Sequence, residues 1–268
     1  MLSCNTLKVI GEGQRICYIY ICLQIKEHMR FDRFLRKFPA PIRNLIDPLS
    51  IEEERLIEEA NLLVKFKGIV LDAGAGECRY RDYFPDKLYV GLDFFKGDST
   101  WDYSNLDVGG DISNLPFKTN TIDMILNNHV LEHIADPGKT IKEFYRVLKP
   151  GGRLVLTAPQ GWYEHQIPHD YFRFTSYGLK MLFNEAGFKI EYIKPMGGYF
   201  KYLAHRLIYL SKVLFWQRGR ITRVFLFPLE IIFALLFVGF FPVILNQIDF
   251  LDRERRCTLS YKCLCTKK

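Results

Sequence analysis

The chain has 268 residues, which suffices for one large α/β core with an appended element but is tight for two independent domains. Hydrophobic residues make up 49% and aromatic residues 15%, a composition that excludes a disordered chain. The net charge of +7 comes without an arginine-rich tract, so we expect an anionic membrane surface and no nucleic acid as partner. Seven cysteines without a Cys-x-x-Cys pair indicate a reducing cytoplasm, not a disulfide framework.

Residues 1–50 are predicted to be an N-terminal arm that precedes the core. We expect no signal peptide there, because Gln24 interrupts its apolar run and no small-residue cleavage site follows. Phe31–Phe38 is basic, aromatic and amphipathic, which is typical of a segment that covers an active site or rests on lipid. The first helix is predicted over residues 51–66, with Ser50 as its N-cap and acidic residues in its first turn.

Short apolar strands and capped helices alternate over residues 51–198, the predicted core. Helices are expected after Asp136-Pro137 and over Thr175 to Ala186, with Gly187 closing the second. The strands are predicted at 68–73, 89–93, 122–127, 153–158, 188–193 and 257–268. Such alternation indicates a doubly wound, mostly parallel α/β sheet.

Residues 199–250 are predicted to be an apolar helical insertion before the final strand, which lies within residues 251–268. Tyr199–Trp216 has the spacing of an interfacial helix, and Val224–Leu245 is almost wholly apolar with arginines on both flanks. A single membrane crossing would leave the last strand on the opposite side from its sheet. We therefore favour a shallow hairpin in one leaflet over a buried dimer helix or a true span.

Five ordered segments resemble the class I S-adenosylmethionine-dependent methyltransferases, in particular the type 11 group. They are the Asp72-x-Gly74-x-Gly76 turn with Asp93, then 110–117, 123–133, 148–156 and 174–188. The resemblance implies a Rossmann-like methyltransferase fold of seven strands, an antiparallel last strand and S-adenosyl-L-methionine as cofactor.

The same resemblance assigns cofactor contacts residue by residue. The glycine turn would pack against the methionine portion, Asp93 would hold the ribose hydroxyls, and Asp111 would accept from the adenine amine. The full set of cofactor candidates is Asp72, Gly74, Gly76, Asp93, Asp111, Ile112 and Asn127. Cys78 departs from the pattern, because many relatives have a third glycine there. Asp111 has an alternative interpretation as a turn-capping aspartate.

The loop over residues 160–174 concentrates titratable and aromatic groups beyond the next strand. Similar loops in relatives line the acceptor pocket, which makes His165 and His169 candidate catalytic bases. The substrate-binding candidates are Trp162, Tyr163 and Tyr171. For each histidine, an ordinary hydrogen-bonded loop position remains the alternative.

No metal is expected from the sequence. The stretch through Glu132 and His133 also resembles ubiquinone-pathway O-methyltransferases, which can hold a divalent cation there. His129 replaces one of their acids, and the loss of a hard oxygen ligand disfavours magnesium. A packing role for Glu132 and His133 is the preferred interpretation.

These observations predict an enzyme that methylates a lipid or lipid-linked acceptor, such as a glycan or quinone-like molecule, at the inner face of the cytoplasmic membrane. Oxygen is the favoured acceptor atom, with nitrogen or carbon as the alternatives. One alternative is a soluble small-molecule methyltransferase in which the apolar insertion forms a homodimer interface. The other alternative is a catalytically silent membrane scaffold that binds the cofactor.

Overall fold

A computed structural model describes residues 48–65, 67–97, 101–211, 213–214, 229, 232–233 and 235–268. Its seven strands are β1 (Ile69–Ala73), β2 (Leu88–Asp93), β3 (Val108–Gly109), β4 (Ile122–Asn128), β5 (Leu148–Pro159), β6 (Lys189–Met196) and β7 (Ser260–Thr266). Residues 1–47 of the predicted N-terminal arm, with the Phe31–Phe38 segment, lie outside the described residues, as do 224–228, 230–231 and 234 of the predicted apolar run.

The strands form one sheet in the order β3-β2-β1-β4-β5-β7-β6. The pairs from β3 to β5 are parallel, whereas β7 is antiparallel to both of its neighbours. The doubly wound, mostly parallel seven-stranded sheet and the antiparallel last strand are thus confirmed. The carboxyl ends of β1, β2 and β4 meet at one edge, where open α/β sheets bind ligands.

Helices cover both faces of the sheet and bury two separate cores. They are α1 (Pro48–Leu63), α2 (Pro137–Val147), α3 (Ser176–Ala186), α4 (Tyr199–Ser211) and α5 (Phe241–Gln247). One face buries Phe144 of α2 and Phe183 of α3, and the other buries Leu56 and Ile57 of α1. Fully buried apolar side chains on two faces fix the register of the central strands.

Local signals set several helix ends as predicted. The Asp136 carboxylate accepts from the Lys139 amide at 2.9 Å, and the Thr175 hydroxyl caps α3. Gly187 closes α3 with φ of 93°, a left-handed conformation that glycine adopts without strain. The prediction of Ser50 as an N-cap is wrong, because α1 begins at Pro48 and ends at Leu63. Proline is favoured in a first turn, since its missing amide has no helical partner there.

The chain between β6 and β7 leaves the sheet and returns to the same place. α4 packs against α5 and against a π-helix over Leu235–Phe240. The buried Asp249 carboxylate accepts from the amides of Gly198 and Lys201, and Asp252 accepts from the Tyr199 amide at 2.7 Å. Two carboxylates therefore satisfy the free amides at the start of α4 and close the base of this helical segment. Among the described residues, no helix is both long and apolar enough to cross a membrane.

Candidate functional site

The glycine turn after β1 is held against the end of β2 by main-chain hydrogen bonds. The amides of Gly74 and Ala75 donate to the Leu92 carbonyl at 2.8 and 3.0 Å. Gly74 has φ of 87°, and a Cβ there would lie 2.5 Å from the Val130 side chain. Glycine at this position is thus required both by conformation and by the close approach of the β4 loop.

Asp93 lies at the end of β2 with only 8% of its surface exposed. Its carboxylate accepts from the Gly76 amide at 3.0 Å and from the Phe95 amide at 2.9 Å. Each oxygen of a carboxylate accepts more than one hydrogen bond, so capacity remains for ligand hydroxyls. Asp93 therefore links the glycine turn to β2 at the position predicted for ribose binding.

Asp72 is placed differently from the other cofactor candidates. It is 2% exposed and accepts a hydrogen bond from the Tyr89 hydroxyl on the α1 side of the sheet. Burial raises the pKa of this carboxyl to about 6. The buried contact with Tyr89 fixes Asp72 beneath the turn.

Asp111 and Ile112 follow β3 as expected. The exposed Asp111 carboxylate accepts from the Ser113 amide at 2.8 Å, which is the geometry of a turn cap, and Ile112 is buried. This hydrogen bond agrees with the interpretation of Asp111 as a turn cap and uses one of its two carboxylate oxygens.

Asn127 at the end of β4 is fully buried. Its Nδ2 atom donates to the Ala73 carbonyl at 2.8 Å, which ties β4 to the start of the glycine turn. Its Oδ1 atom has no hydrogen-bond partner within the described part of the chain. A buried amide oxygen without a partner is costly, so Asn127 is suited to receive a donor from a ligand.

Cys78 and Trp101 complete the surroundings of the turn. Cys78 is buried with its Sγ atom 3.3 Å from the Asn105 carbonyl, so its side chain packs against β2. Trp101 lies over the turn, since a Cβ on Gly76 would be 3.0 Å from its ring. Trp101 was not predicted from the sequence, because one aromatic residue beyond β2 carries no spacing signal.

A network of charged side chains surrounds the buried Glu53 carboxylate beside the end of β4. His129 Nε2 is 2.9 Å from Glu53 Oε1, and Arg79 donates to Glu53 at 2.8 Å. Burial opposes the charge on His129, but the carboxylates of Glu132 and Glu53 outweigh it and raise the pKa of His129 to about 10. Burial would raise the pKa of Glu53, yet His129 and Arg79 lower it to about 2. Neither Glu53 nor Arg79 was predicted, since Glu53 reaches the site from α1.

Glu132 lies in a short turn over Leu131–His133 and is fully buried. Its carboxylate faces His133 Nε2 at 3.9 Å and His165 Nε2 at 4.0 Å. The Glu132 carbonyl accepts from the Tyr171 amide at 2.8 Å, which fastens the loop over residues 160–174 to this turn. Burial and the neighbouring His133 lower the pKa of His165, so this imidazole is neutral at physiological pH.

The two candidate bases are thereby separated. His165 faces Glu132 and His133, whereas His169 Nδ1 lies 3.0 Å from the Tyr171 hydroxyl. Tyr171 is 47% exposed, so this second pair lies nearer to solvent.

Trp162 and Tyr163 of the loop pack against α4. Trp162 packs on His205 with ring centroids 4.3 Å apart, and Tyr163 stacks on Tyr209 at 4.9 Å. Arg173 donates to the carbonyl oxygens of Trp162 and Tyr163 and fixes both from behind. The aromatic candidates therefore join the acceptor-side loop to the helical segment between β6 and β7.

Comparison with known proteins agrees with this geometry. Residues 71–156 match the sequence model of the family described as Methyltransferase domain. A protein of Mycolicibacterium smegmatis, described as a probable S-adenosylmethionine-dependent methyltransferase, is 31% identical over 96 residues, which are 34% of this chain and 37% of that protein. The ubiquinone/menaquinone biosynthesis C-methyltransferase of Haemophilus ducreyi is 42% identical over 99 residues, 34% of each chain. The matches span about a third of these curated relatives.

A solved structure shows the same fold. A SAM dependent methyltransferase from Archaeoglobus fulgidus superposes with a TM-score of 0.52 at 14% identity, over 84% of this chain and 98% of that one. The family match and the S-adenosylmethionine-dependent relative support S-adenosylmethionine as the cofactor. The glycine turn, Asp93 and the unpartnered Oδ1 atom of Asn127 fit such a ligand.

Proposed function

We propose that this protein, whose residues 71–156 form a methyltransferase domain, transfers a methyl group from S-adenosylmethionine to oxygen of a lipid or lipid-linked acceptor at the cytoplasmic face of a membrane. The observation that carries the proposal is the exposed apolar surface of the helical segment between β6 and β7, whose helix α4 packs against the aromatic loop of the site.

On the cofactor side, the main chain and carboxylates do the binding. Gly74 and Gly76 admit the ligand close to the backbone, Asp93 accepts from the ribose hydroxyls, and Asp111 offers an oxygen to the adenine amine. The cofactor supplies an electrophilic methyl group on a positively charged sulfur.

On the acceptor side, the main task is alignment. An acceptor oxygen forms the new bond to the methyl carbon while the carbon–sulfur bond breaks, and the hydroxyl proton passes to His165 or to water. Well-oriented reactants reach effective concentrations of ~10⁵ to 10⁸ M. A general base accelerates the reaction by a smaller factor, ~10² to 10⁴. His165 is neutral and therefore able to accept a proton.

The helical segment between β6 and β7 supports a membrane-bound acceptor. Leu235, Phe240 and Phe250 are 67%, 56% and 69% exposed, and such a concentration of large apolar side chains marks an interaction surface. The exposed Arg253 follows directly and suits an anionic lipid surface, whereas Arg256 is paired with Glu254 at 3.0 Å. Tyr163 of the loop stacks on Tyr209 of α4. A lipid whose chain contacts this helical segment would therefore have its polar end near the loop.

The experiment is vesicle flotation of the full-length protein with phosphatidylglycerol-containing vesicles. We expect the wild type to float, and the variant with Leu235→Ser, Phe240→Ser and Phe250→Ser to float much less. The matched control is Tyr177→Ser, because Tyr177 is 81% exposed but lies on α3, away from this segment. High salt should weaken binding without abolishing it, since each arginine contributes on the order of 1 kcal/mol near anionic lipid.

Two outcomes would overturn the proposal. A wild type that does not float and forms a stable dimer, with the triple variant monomeric, would establish the soluble enzyme with a dimer interface. A protein that floats and binds S-adenosylmethionine, yet methylates no component of a total lipid extract, would establish the silent scaffold.

A further inference from the structure

We propose that Glu132, His133 and His165 bind a divalent transition-metal ion. One donor atom from each residue lies within 4.8 Å of the other two. The sequence does not show that these three residues are close together, because Glu132 and His133 follow β4 while His165 follows β5. The loop over residues 160–174 folds back onto the turn and brings the third donor to the first two.

The Glu132 carboxylate is the strongest indication of a missing ligand. It is 0% exposed, and within the described part of the chain neither oxygen has a hydrogen-bond partner. Leaving a buried carboxylate without hydrogen bonds is expensive, so such groups are normally paired or coordinate a metal. A cation between Glu132 and the two imidazoles would satisfy it.

Both imidazoles present the correct nitrogen. His133 Nδ1 lies 2.6 Å from the His169 carbonyl, which only accepts, so Nδ1 carries the proton and Nε2 has a free lone pair. His165 Nδ1 lies 3.2 Å from both the Tyr163 carbonyl and an Asp170 oxygen, which sets the same tautomer. Metal-binding histidines generally donate their second nitrogen to a carbonyl or carboxylate in this way.

The supporting groups are themselves fixed. Arg173 donates to both oxygens of Asp170 at 2.7 and 2.6 Å, and the Asp170 carboxylate accepts from the His165 amide at 2.8 Å. The His133 and His165 rings meet edge to face with centroids 4.7 Å apart. The donors are therefore held before any metal arrives, which lowers the entropic cost of binding.

The donor set selects the class of metal. Two imidazoles and one carboxylate suit zinc or ferrous iron, whereas magnesium prefers oxygen ligands. Bonds of about 2.0 to 2.1 Å place donors roughly 3 to 4 Å apart. The Glu132 carboxylate is 3.9 and 4.0 Å from the two imidazole nitrogens, and all three donors lie within 4.8 Å of one another, so metal binding requires the donors to move closer by up to about 1 Å.

His129 is the other charged group that faces Glu132. Its Nδ1 atom lies 3.8 Å from the same carboxylate oxygen, and its Nε2 atom is paired with Glu53. A bound metal would take Glu132 from His129, while Glu53 would still neutralise the imidazolium. Loss of His129 therefore should not remove the metal.

The role of the ion rests on the proposed function. A metal beside the acceptor-side loop would bind the acceptor hydroxyl and lower its pKa, so that the proton leaves to water before the oxygen–carbon bond forms. His165 would then act as a metal ligand and not as the base, because its Nε2 atom would bind the metal and its Nδ1 atom carries a proton. The three protein ligands leave at least one coordination position for that oxygen.

The test is metal titration of the full-length protein after removal of metals with a chelator. We expect one Zn²⁺ per chain by calorimetry, visible d–d absorption with Co²⁺, and no competition from Mg²⁺. His165→Ala and Glu132→Gln should each weaken Zn²⁺ binding at least about 100-fold, since each removes a direct ligand. His169→Ala is the matched control, because it removes a histidine side chain from the same loop but keeps the carbonyl that holds His133.

Unchanged Zn²⁺ affinity in a folded His165→Ala variant would overturn the metal site. A wild type that binds no Zn²⁺ would overturn it as well. Binding of S-adenosylmethionine, measured on the same samples, should persist in all variants. Its loss in the wild type would count against the proposed function and leave the metal result intact.

Discussion

The cofactor side of the site is built mainly from main chain, whereas the acceptor side is built from buried charged side chains. On the first side, glycine amides and the end of β2 hold the turn, and Asp93 is the principal charged group. On the second side, Glu53, His129 and Glu132 come from α1, β4 and the following turn. A backbone turn is specified locally, but a charge network requires every contributing segment to be in place.

This contrast indicates where each side is vulnerable. Substitutions on the cofactor side should weaken cofactor binding through steric clashes at a few positions. Substitutions on the acceptor side should lower the stability of the fold, because each leaves a charged group without its partner. The size of this loss should depend on pH.

The largest effect is expected for Gly74→Ala. The added Cβ would lie 2.5 Å from Val130 in a backbone conformation with φ of 87°, so the turn must move away from the cofactor. We expect cofactor affinity to fall by at least about 100-fold, or roughly 3 kcal/mol, by calorimetry. Gly151→Ala is the control, because Gly151 has φ of 77° but a Cβ there meets nothing within 4 Å. Equal losses of affinity in both variants would show that the loss does not come from the close approach of Gly74 to Val130.

Glu53→Gln should destabilise the protein by up to about 3 kcal/mol at neutral pH, because the partly buried His129 charge loses its nearest carboxylate and keeps only Glu132, 3.8 Å away. The folded pKa of His129 is raised to about 10, so its contribution is complete below about pH 6.5 and is lost as the pH rises through 10. The pKa of Glu53 is lowered to about 2, so its contribution is present above about pH 4.5 and is lost as the pH falls through 2.

Denaturant unfolding across the alkaline range tests this. The wild type should lose more stability than Glu53→Gln between pH 6.5 and pH 10. Glu58→Gln is the control, since Glu58 is exposed on the same helix. Parallel curves for wild type and Glu53→Gln would contradict the ion pair.

Asp93→Ala should weaken cofactor binding by roughly 2 kcal/mol, because it removes a charged acceptor of hydrogen bonds and releases the Gly76 amide. Calorimetry gives the affinity, and thermal unfolding shows whether the fold survives. Asp102→Ala is the comparison, since Asp102 caps a neighbouring turn and is exposed. A folded Asp93→Ala variant with unchanged affinity would remove Asp93 from the cofactor site.

The sequence by itself determined the features that depend on near neighbours in the chain. Strand ends followed by Gly74, Gly76 and Asp93 identify a nucleotide-binding edge, because tight turns and buried strands leave a local pattern. Asp136 and Gly187 mark helix ends for the same reason. The position of the last strand followed from resemblance, and the sheet order confirms it.

Only the tertiary structure decided which distant charges meet. Glu53 reaches His129, Asp249 caps α4, and His165 joins Glu132 across separations that no periodic pattern records. The start of α1 at Pro48 was likewise missed, since proline within a first turn and serine as a cap are both favourable local signals. Burial strengthens each of these polar contacts and makes an unpaired polar group costly. The partners are therefore selected by which segments the fold brings together, and not by their spacing along the sequence.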